Sequence, residues 1–311
     1  VIKAFKSQQG AVIVLALFFM ALIAAMAYFM MARLERDTRR TSLLLRTTQA
    51  ELYAAGSVDW AIEQLQENLA KRKADVRVDN LPIRSPRDEI KGYTITSKIT
   101  DMQSRMNLND LNTPEAQADF KRLMQMADPS LDEQAANKIL AALSDWLRPG
   151  QQQNEYSQYY LHLSPPYRAA HHEMASVSEL QLVKGMTPDL YARLQPYIIA
   201  LPAGTKVNVL TVPAVVMAAL SEGMSLDTAA SIEKIREAVK PATLKAFLVM
   251  DIVKNHKMNE NKFTDVSEYF LLETSVVIEK QQLLIYTLLQ RKGAESKNTV
   301  NVVWQSKGVM G

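Results

Sequence analysis

Residues 9–33 read QGAVIVLALFFMALIAAMAYFMMAR, and the 22 residues from Ala11 to Ala32 hold no charged side chain, with Tyr28 carrying the only polar side-chain atom. As an α-helix this run is about 33 Å long, enough to cross a hydrocarbon core of roughly 30 Å. Later apolar stretches are weaker: residues 207–220 are interrupted by Asn208, Thr211 and Pro213, and residues 283–289 are too few. One membrane span is therefore the expectation. Three kinds of segment share this appearance. A secretory signal would use Lys3 and Lys6 as its basic end and the small residues Ala25 and Ala27 before a cut at Tyr28, but its apolar part is normally 7 to 15 residues. A plain uncleaved anchor satisfies the length rule. The third reading starts from Gln8-Gln9-Gly10, which closes a short basic leader immediately before the run. A cut between Gly10 and Ala11 would leave the span attached, and a glycine lets the leader enter a tight site extended.

That junction looks like a class III leader of the type IV pilin superfamily, which a membrane prepilin peptidase removes. Lys3 and Lys6 would hold the leader on the cytoplasmic side, yet Arg33, Arg36, Arg39 and Arg40 flank the other end. A count of four against two favours the reverse topology, and Glu35 and Asp37 weigh little in that rule.

The rest of the composition excludes more than it identifies. The 36 basic and 33 acidic residues leave a formal charge of +3 in 311 residues, too balanced to make nucleic acid or acidic lipid the main partner. With no cysteine there is no disulfide scaffold, thiolate zinc site or cysteine nucleophile. A hydrophobic share of 48% gives material for a core, with room for about two domains.

Beyond the span, residues 33–72 contain no proline and one glycine, Gly56, so the membrane helix and the following helix are expected to form one rod. Ala55, Val58, Ile62, Leu65 and Leu69, at spacings of three and four, predict its buried face. Strands are expected over 91–102, with Val76 and Val78 ahead of them, then over 270–278, 282–290 and 299–304, with turns at Lys280-Gln281 and 293–298. Helices are predicted between the two strand groups over 114–126, 132–147, 178–183, 188–198, 212–220 and 226–239. The organisation expected is a leader over 1–10, a span over 11–32, a sheet domain shared by 33–111 and 263–311, and an all-α insertion over 112–262.

The insertion repeats with a period of 38. Leu182, Gly185, Met186, Thr187, Asp189 and Leu194 match Leu220, Gly223, Met224, Ser225, Asp227 and Ile232. Each copy resembles a helix-hairpin-helix unit with its turn at Gly185 or Gly223, an arrangement that often faces DNA phosphates with backbone amides. Residues 177–236 carry five acids and five bases, however, and phosphate binding needs a net basic surface. A packing or protein-contact role follows, with no nucleic acid as partner. His171-His172-Glu173 lacks the spacing of a zinc pair and reads as a loop, and no phosphate loop, dinucleotide fingerprint or nucleophile elbow is present. Catalytic and metal-ligating residues are not predicted.

In order along the chain stand Met106-Asn107-Leu108-Asn109-Asp110-Leu111, Pro165-Pro166-Tyr167-Arg168, Val177-Ser178-Glu179-Leu180, residues 183–191 (VKGMTPDLY) and residues 267–272 (SEYFLL). With the leader and the split sheet, this order resembles the K-type minor pseudopilin family of type II secretion over essentially the whole chain. The resemblance implies an α+β, type IV pilin-like fold: a long N-terminal transmembrane helix on a small antiparallel sheet, with the helical insertion carrying the paired hairpins. It implies a non-enzymatic subunit of the inner membrane, single-pass, with its folded part in the periplasm. There it would cap the pseudopilus tip and initiate assembly with I-type and J-type minor pseudopilins and the major pseudopilin. A membrane-anchored DNA receptor of the competence type is the alternative, since it also joins a span to paired hairpins. Most pilin relatives carry glutamate at mature position five, where this chain has Leu15; leucine fits a subunit with no neighbour above it. K-type proteins often place an acidic, calcium-suited loop after an Asp-Trp pair. Here Asp145-Trp146 is followed by Arg148, Pro149, Gly150 and glutamines, leaving Asp145 and Glu155 as the main carboxylates, so the calcium that the resemblance implies is not expected at this loop.

Overall fold

The computed structural model describes residues 9–70, 82–90, 92–150, 155–254, 256, 258–278, 281–292 and 299–308. The expected strand residues Val76 and Val78, the turn residue Lys280 and the turn 293–298 lie outside these; Gln281 opens a strand. The chain divides into two compact units, Val1–Tyr53 and Ala54–Gly311.

The first helix, α1 (Gln9–Ala70), runs 62 residues through Gly56 without interruption, as the lack of proline predicts. Two short strands follow, β1 (Ile83–Arg84) and β2 (Asp88–Ile90), then β3 (Tyr93–Asp101) and β4 (Met106–Asn107). The helical stretch contains α2 (Pro114–Ala127), α3 (Glu133–Leu147), α4 (Glu155–Leu161), α5 (Pro188–Leu194), β5 (Ile198–Ile199), β6 (Val207–Asn208), α6 (Ala214–Leu220), α7 (Leu226–Val239), α8 (Leu244–Leu248) and α9 (Asp251–Lys254). The chain closes with β7 (Phe263–Thr264), β8 (Tyr269–Ile278), β9 (Gln281–Arg291) and β10 (Val300–Lys307).

Six strands form one antiparallel sheet in the order β1-β3-β8-β9-β10, with β2 also on β3. The neighbours β3 and β8 bracket the helical stretch in sequence. The C-terminal part of α1 covers one face, where Ala61 and Leu65 pack with Ile99, Phe270, Leu272, Leu289 and Val300. The helices cover the other face at one end, sharing a core with Met102, Tyr269, Leu271 and Leu288. Coverage on both sides explains why Tyr269–Leu272 are all buried where simple alternation is expected, before Glu273 restores it.

The buried face of α1 differs from the expected one by about one residue. Ala54, Ser57, Ala61 and Leu65 are buried, Val58 and Ile62 flank them, and Ala55 is exposed. Small side chains let the helix axis approach the strands, so alanine and serine take the centre of the contact and the bulkier valine and isoleucine fill its margin. Two other expectations shift in type. Residues 177–182 form a 3-10 helix instead of an α-helix, and the predicted helix over 188–198 stops at Leu194 and continues as a 3-10 turn through Tyr197, whose Pro196 cannot donate a backbone hydrogen bond. Short parallel bridges β4–β5 and β6–β7 have no counterpart in the sequence reading, and both cross the boundaries drawn at 111/112 and 262/263.

Candidate functional site

Three features carry the functional reading: the apolar start of α1, the paired turns and the polar clips that hold them. In α1, every large hydrophobic from Val12 to Met31 is exposed, from 41% at Leu22 to 76% at Met30. Leu15 is among them, and Gly10 and Ala11 lie in the first turn of the helix. An uncharged helix with so much apolar surface in water is unfavourable, and a bilayer removes that cost. Among the described residues α1 is the one helix long and apolar enough to cross a membrane.

The two hairpin copies superimpose hydrogen bond for hydrogen bond at the period of 38. Val183 N–H donates to Leu180 and Met186 N–H to Val183, while Ser221 N–H donates to Ala218 and Met224 N–H to Ser221, all at 3.1–3.3 Å. Thr187 then caps α5 by accepting from Leu190 N–H at 3.2 Å, as Ser225 caps α7 by accepting from Thr228 N–H at 3.1 Å. Between bend and cap sit Gly185 at φ +91° and Gly223 at φ +76°, where a side chain is strained. At Gly185 a Cβ would also stand 3.1 Å from Ile139 Cγ1, whereas Gly223 faces open space. Gly223→Ala should therefore cost about 1–2 kcal/mol and Gly185→Ala about 2–3 kcal/mol, read as the order of urea midpoints of the detergent-solubilised chain. Equal midpoints would show that Ile139 yields freely.

The first turn is held by aromatic rings. Trp146, Tyr160 and Tyr167 pack with centroids 5.3–6.4 Å apart; Tyr160 Oη accepts from Lys184 N–H at 3.1 Å, and Tyr167 Oη donates to the Leu182 carbonyl at 2.8 Å. Burial pushes the Tyr160 hydroxyl up to about 12, so it is neutral at physiological pH. The Lys184 ammonium sits 4.5 Å from the Tyr159 ring centroid. The second turn is held by charge: Glu233 accepts from Ala214 N–H at the start of α6, and the buried Arg236 donates to the carbonyls of Val209 and Val212 at 3.1 and 2.5 Å. Neither tip gathers cations for phosphate, since Lys184 is stacked and the second tip exposes Glu222.

The polar residues of 106–111 act as a clip. Asn107 accepts from Leu201 N–H at 2.9 Å and donates to the Pro202 carbonyl at 3.1 Å. Asn109 accepts from Met174 N–H at 2.8 Å and donates to the carbonyls of Met174 and Leu201. Asp110 accepts from Gly204 N–H at 2.6 Å; its burial, which raises its pKa, outweighs that bond and the one from Asn107, which lower it.

The family described as "Type II secretion system (T2SS), protein K" matches residues 104–203, which span this clip and the first hairpin. The chain is 29% identical to the type II secretion system protein K of Klebsiella pneumoniae over 97% of both chains, and 30% identical to that of Pseudomonas aeruginosa over 70% of this chain and 69% of the relative. It belongs to the type II secretion system protein K family. In fold it resembles a chain in the crystal structure of the GspK-GspI-GspJ complex from enterotoxigenic Escherichia coli, with TM-score 0.73 and 22% identity over 87% of this chain and 100% of that one. The fold class is thus α+β and pilin-like, and the apolar helix together with the protein K family fits a membrane-anchored protein.

The motifs quoted from the sequence divide by what they touch. The 106–111 stretch and Glu179 are internal: Glu179 closes a capping box with Ser176 and accepts from Trp146 Nε1 at 3.4 Å. Among the described residues, His171 and His172 meet backbone carbonyls, those of Asp145 and Glu173. For calcium, the described part of the loop supplies the Asp145 carboxylate, and no group of three or more His, Asp or Glu side chains among the described residues is placed to hold a metal. Sequence reasoning missed Asp101, Gln103 and Arg291 and gave no role to Ser267, which it quoted only within a motif; all four are polar residues buried where the sheet meets the helices. The visible signal was Arg291 closing the apolar run of β9.

Proposed function

We propose that this chain is a non-enzymatic minor pseudopilin of the K type, retained in the inner membrane by α1 with its folded part in the periplasm. It caps the tip of the pseudopilus and helps to initiate it, together with I-type and J-type partners and ahead of the major pseudopilin. The observation that carries this reading is the exposed, uncharged stretch of α1 in a chain of the protein K family. The fold likeness to a chain crystallised with GspI and GspJ supports the choice of partners. Prepilin peptidase would cut between Gly10 and Ala11, placing Leu15 at mature position five. The helices on one face of the sheet add bulk on a single subunit, which suits a cap that stops further stacking. A DNA-receptor role would require a basic hairpin surface that this pair lacks.

Co-expression with the I-type and J-type subunits of the same organism, followed by capture on a tag carried by this chain, should recover all three in equal amounts. Recovery of this chain alone, with both partners folded, would remove the tip assignment. Leu15→Glu should leave that assembly and secretion largely intact, because a subunit with no neighbour above it gains nothing from a carboxylate and can keep it protonated in the bilayer. Abolished secretion in the variant would place Leu15 against a neighbour and contradict the capping position.

A further inference from the structure

The arginines that oppose the simple topology count are grouped along α1 just past the apolar run. Arg33, Arg36 and Arg40 are three and four residues apart, so they share one face of α1, and Arg39 lies beside them; the opposite side carries Leu34, Thr38, Thr41 and Leu45 at spacings of four, three and four. The charge is therefore one-sided and not spread around the helix. Its height is fixed as well. With the apolar run filling a core of roughly 30 Å, residues 33–40 rise through about the next 12 Å, which covers the headgroup layer of roughly 5–8 Å on that side.

Intramolecular acids do not use this charge up. Arg39 pairs with Glu35 at 2.6 Å and Arg33 with Asp37 at 3.9 Å, but these partners are 65–81% exposed and such surface pairs are weak. Arg36 and Arg40 have no carboxylate partner among the described residues. Cationic side chains at an anionic leaflet each gain about fivefold in affinity. We propose that Arg33, Arg36, Arg39 and Arg40 form a collar that binds the phosphate of anionic phospholipids, with Arg36 and Arg40 at its centre. Such a collar offsets the unfavourable placement of four cations on the periplasmic side and fixes the depth at which the helix rests before assembly. The inference rests on the retained-span reading of α1.

The test uses the full chain purified in a non-ionic detergent, titrated with phosphatidylglycerol, phosphatidylcholine or inorganic phosphate and read by native mass spectrometry. Phosphatidylglycerol should bind about 25-fold more tightly than phosphatidylcholine, from two arginines at about fivefold each. R36Q/R40Q should bring the two lipids to near parity, while R36K/R40K, which keeps the charge, retains the preference. Equal affinities in the unmodified chain, an unchanged preference in R36Q/R40Q, or its loss in R36K/R40K would overturn the collar. Displacement of the lipid by millimolar inorganic phosphate would reassign the arginines to free phosphate and also overturn it. Alkaline extraction of native membranes separates the two claims. Release of the chain would defeat the retained span and the collar together, whereas retention with equal lipid affinities defeats the collar alone.

Discussion

Asp101→Ala should destabilise the folded unit by about 3–5 kcal/mol, the range for breaking a buried, charged hydrogen-bond network. Asp101 ends β3 and is buried; one carboxylate oxygen accepts from Gln103 N–H at 2.8 Å, the other from Thr211 Oγ1 at 2.5 Å and Ser267 Oγ at 2.8 Å. Ser267 Oγ in turn accepts from Asn208 Nδ2 at 2.9 Å. Gln103 extends the network by donating to the Lys206 carbonyl at 2.6 Å and accepting from the N–H groups of Glu268 and Tyr269. These residues meet where the chain leaves the sheet, passes the start of α6 and re-enters at β8. Removing the carboxylate leaves the Gln103 N–H and the Thr211 and Ser267 hydroxyls without their acceptor. Thr211→Val, which deletes one donor and keeps the shape, should cost about 1–2 kcal/mol. Chemical denaturation of the detergent-solubilised variants measures both, and a midpoint for Asp101→Ala no lower than that for Thr211→Val would show that water replaces the network.

Arg291→Ala should cost a similar 3–5 kcal/mol, through a different contact. Arg291 is 2% exposed; it donates to the Leu65 carbonyl of α1 at 3.3 Å and to the Ser267 carbonyl at 2.8 Å, and its guanidinium lies 4.6 Å from the Phe270 ring centroid. Arg291→Met keeps most of the volume without the hydrogen bonds and should fall between the original and alanine. Because Ser267 belongs to both networks, the double variant Asp101→Ala/Arg291→Ala should depart from the sum of the singles by at least about 0.5 kcal/mol. Strict additivity would mean that the two networks stabilise the sheet separately.

Local rules made much of this architecture legible. The proline-free course of residues 33–70 gave one helix, alternation gave β3 and β8, and the helix predicted over 114–126 is α2, which Thr113 caps with proline in the first turn. The period of 38 survives as matching hydrogen bonds at both turns. What stayed hidden depends on contacts distant in sequence. The bridges β4–β5 and β6–β7 are two residues long and carry no periodic signal. The centre of the α1 contact went to Ala54, Ser57 and Ala61 because close approach rewards small residues, which a hydrophobicity pattern undervalues. The roles of Asn107, Asn109 and Asp110 could be quoted as a motif but not assigned, since their partners lie 65–95 residues away.

That division bears on function. The buried polar groups hold a scaffold, and the exposed, uncharged length of α1 is free for contact with a membrane. The central claim, a subunit kept in the membrane by a helix that survives maturation, is tested most directly by determining the N-terminus of the chain isolated from native membranes. The account predicts a membrane-bound product beginning at Ala11. A soluble product beginning at Tyr28, with the apolar helix removed, would contradict it.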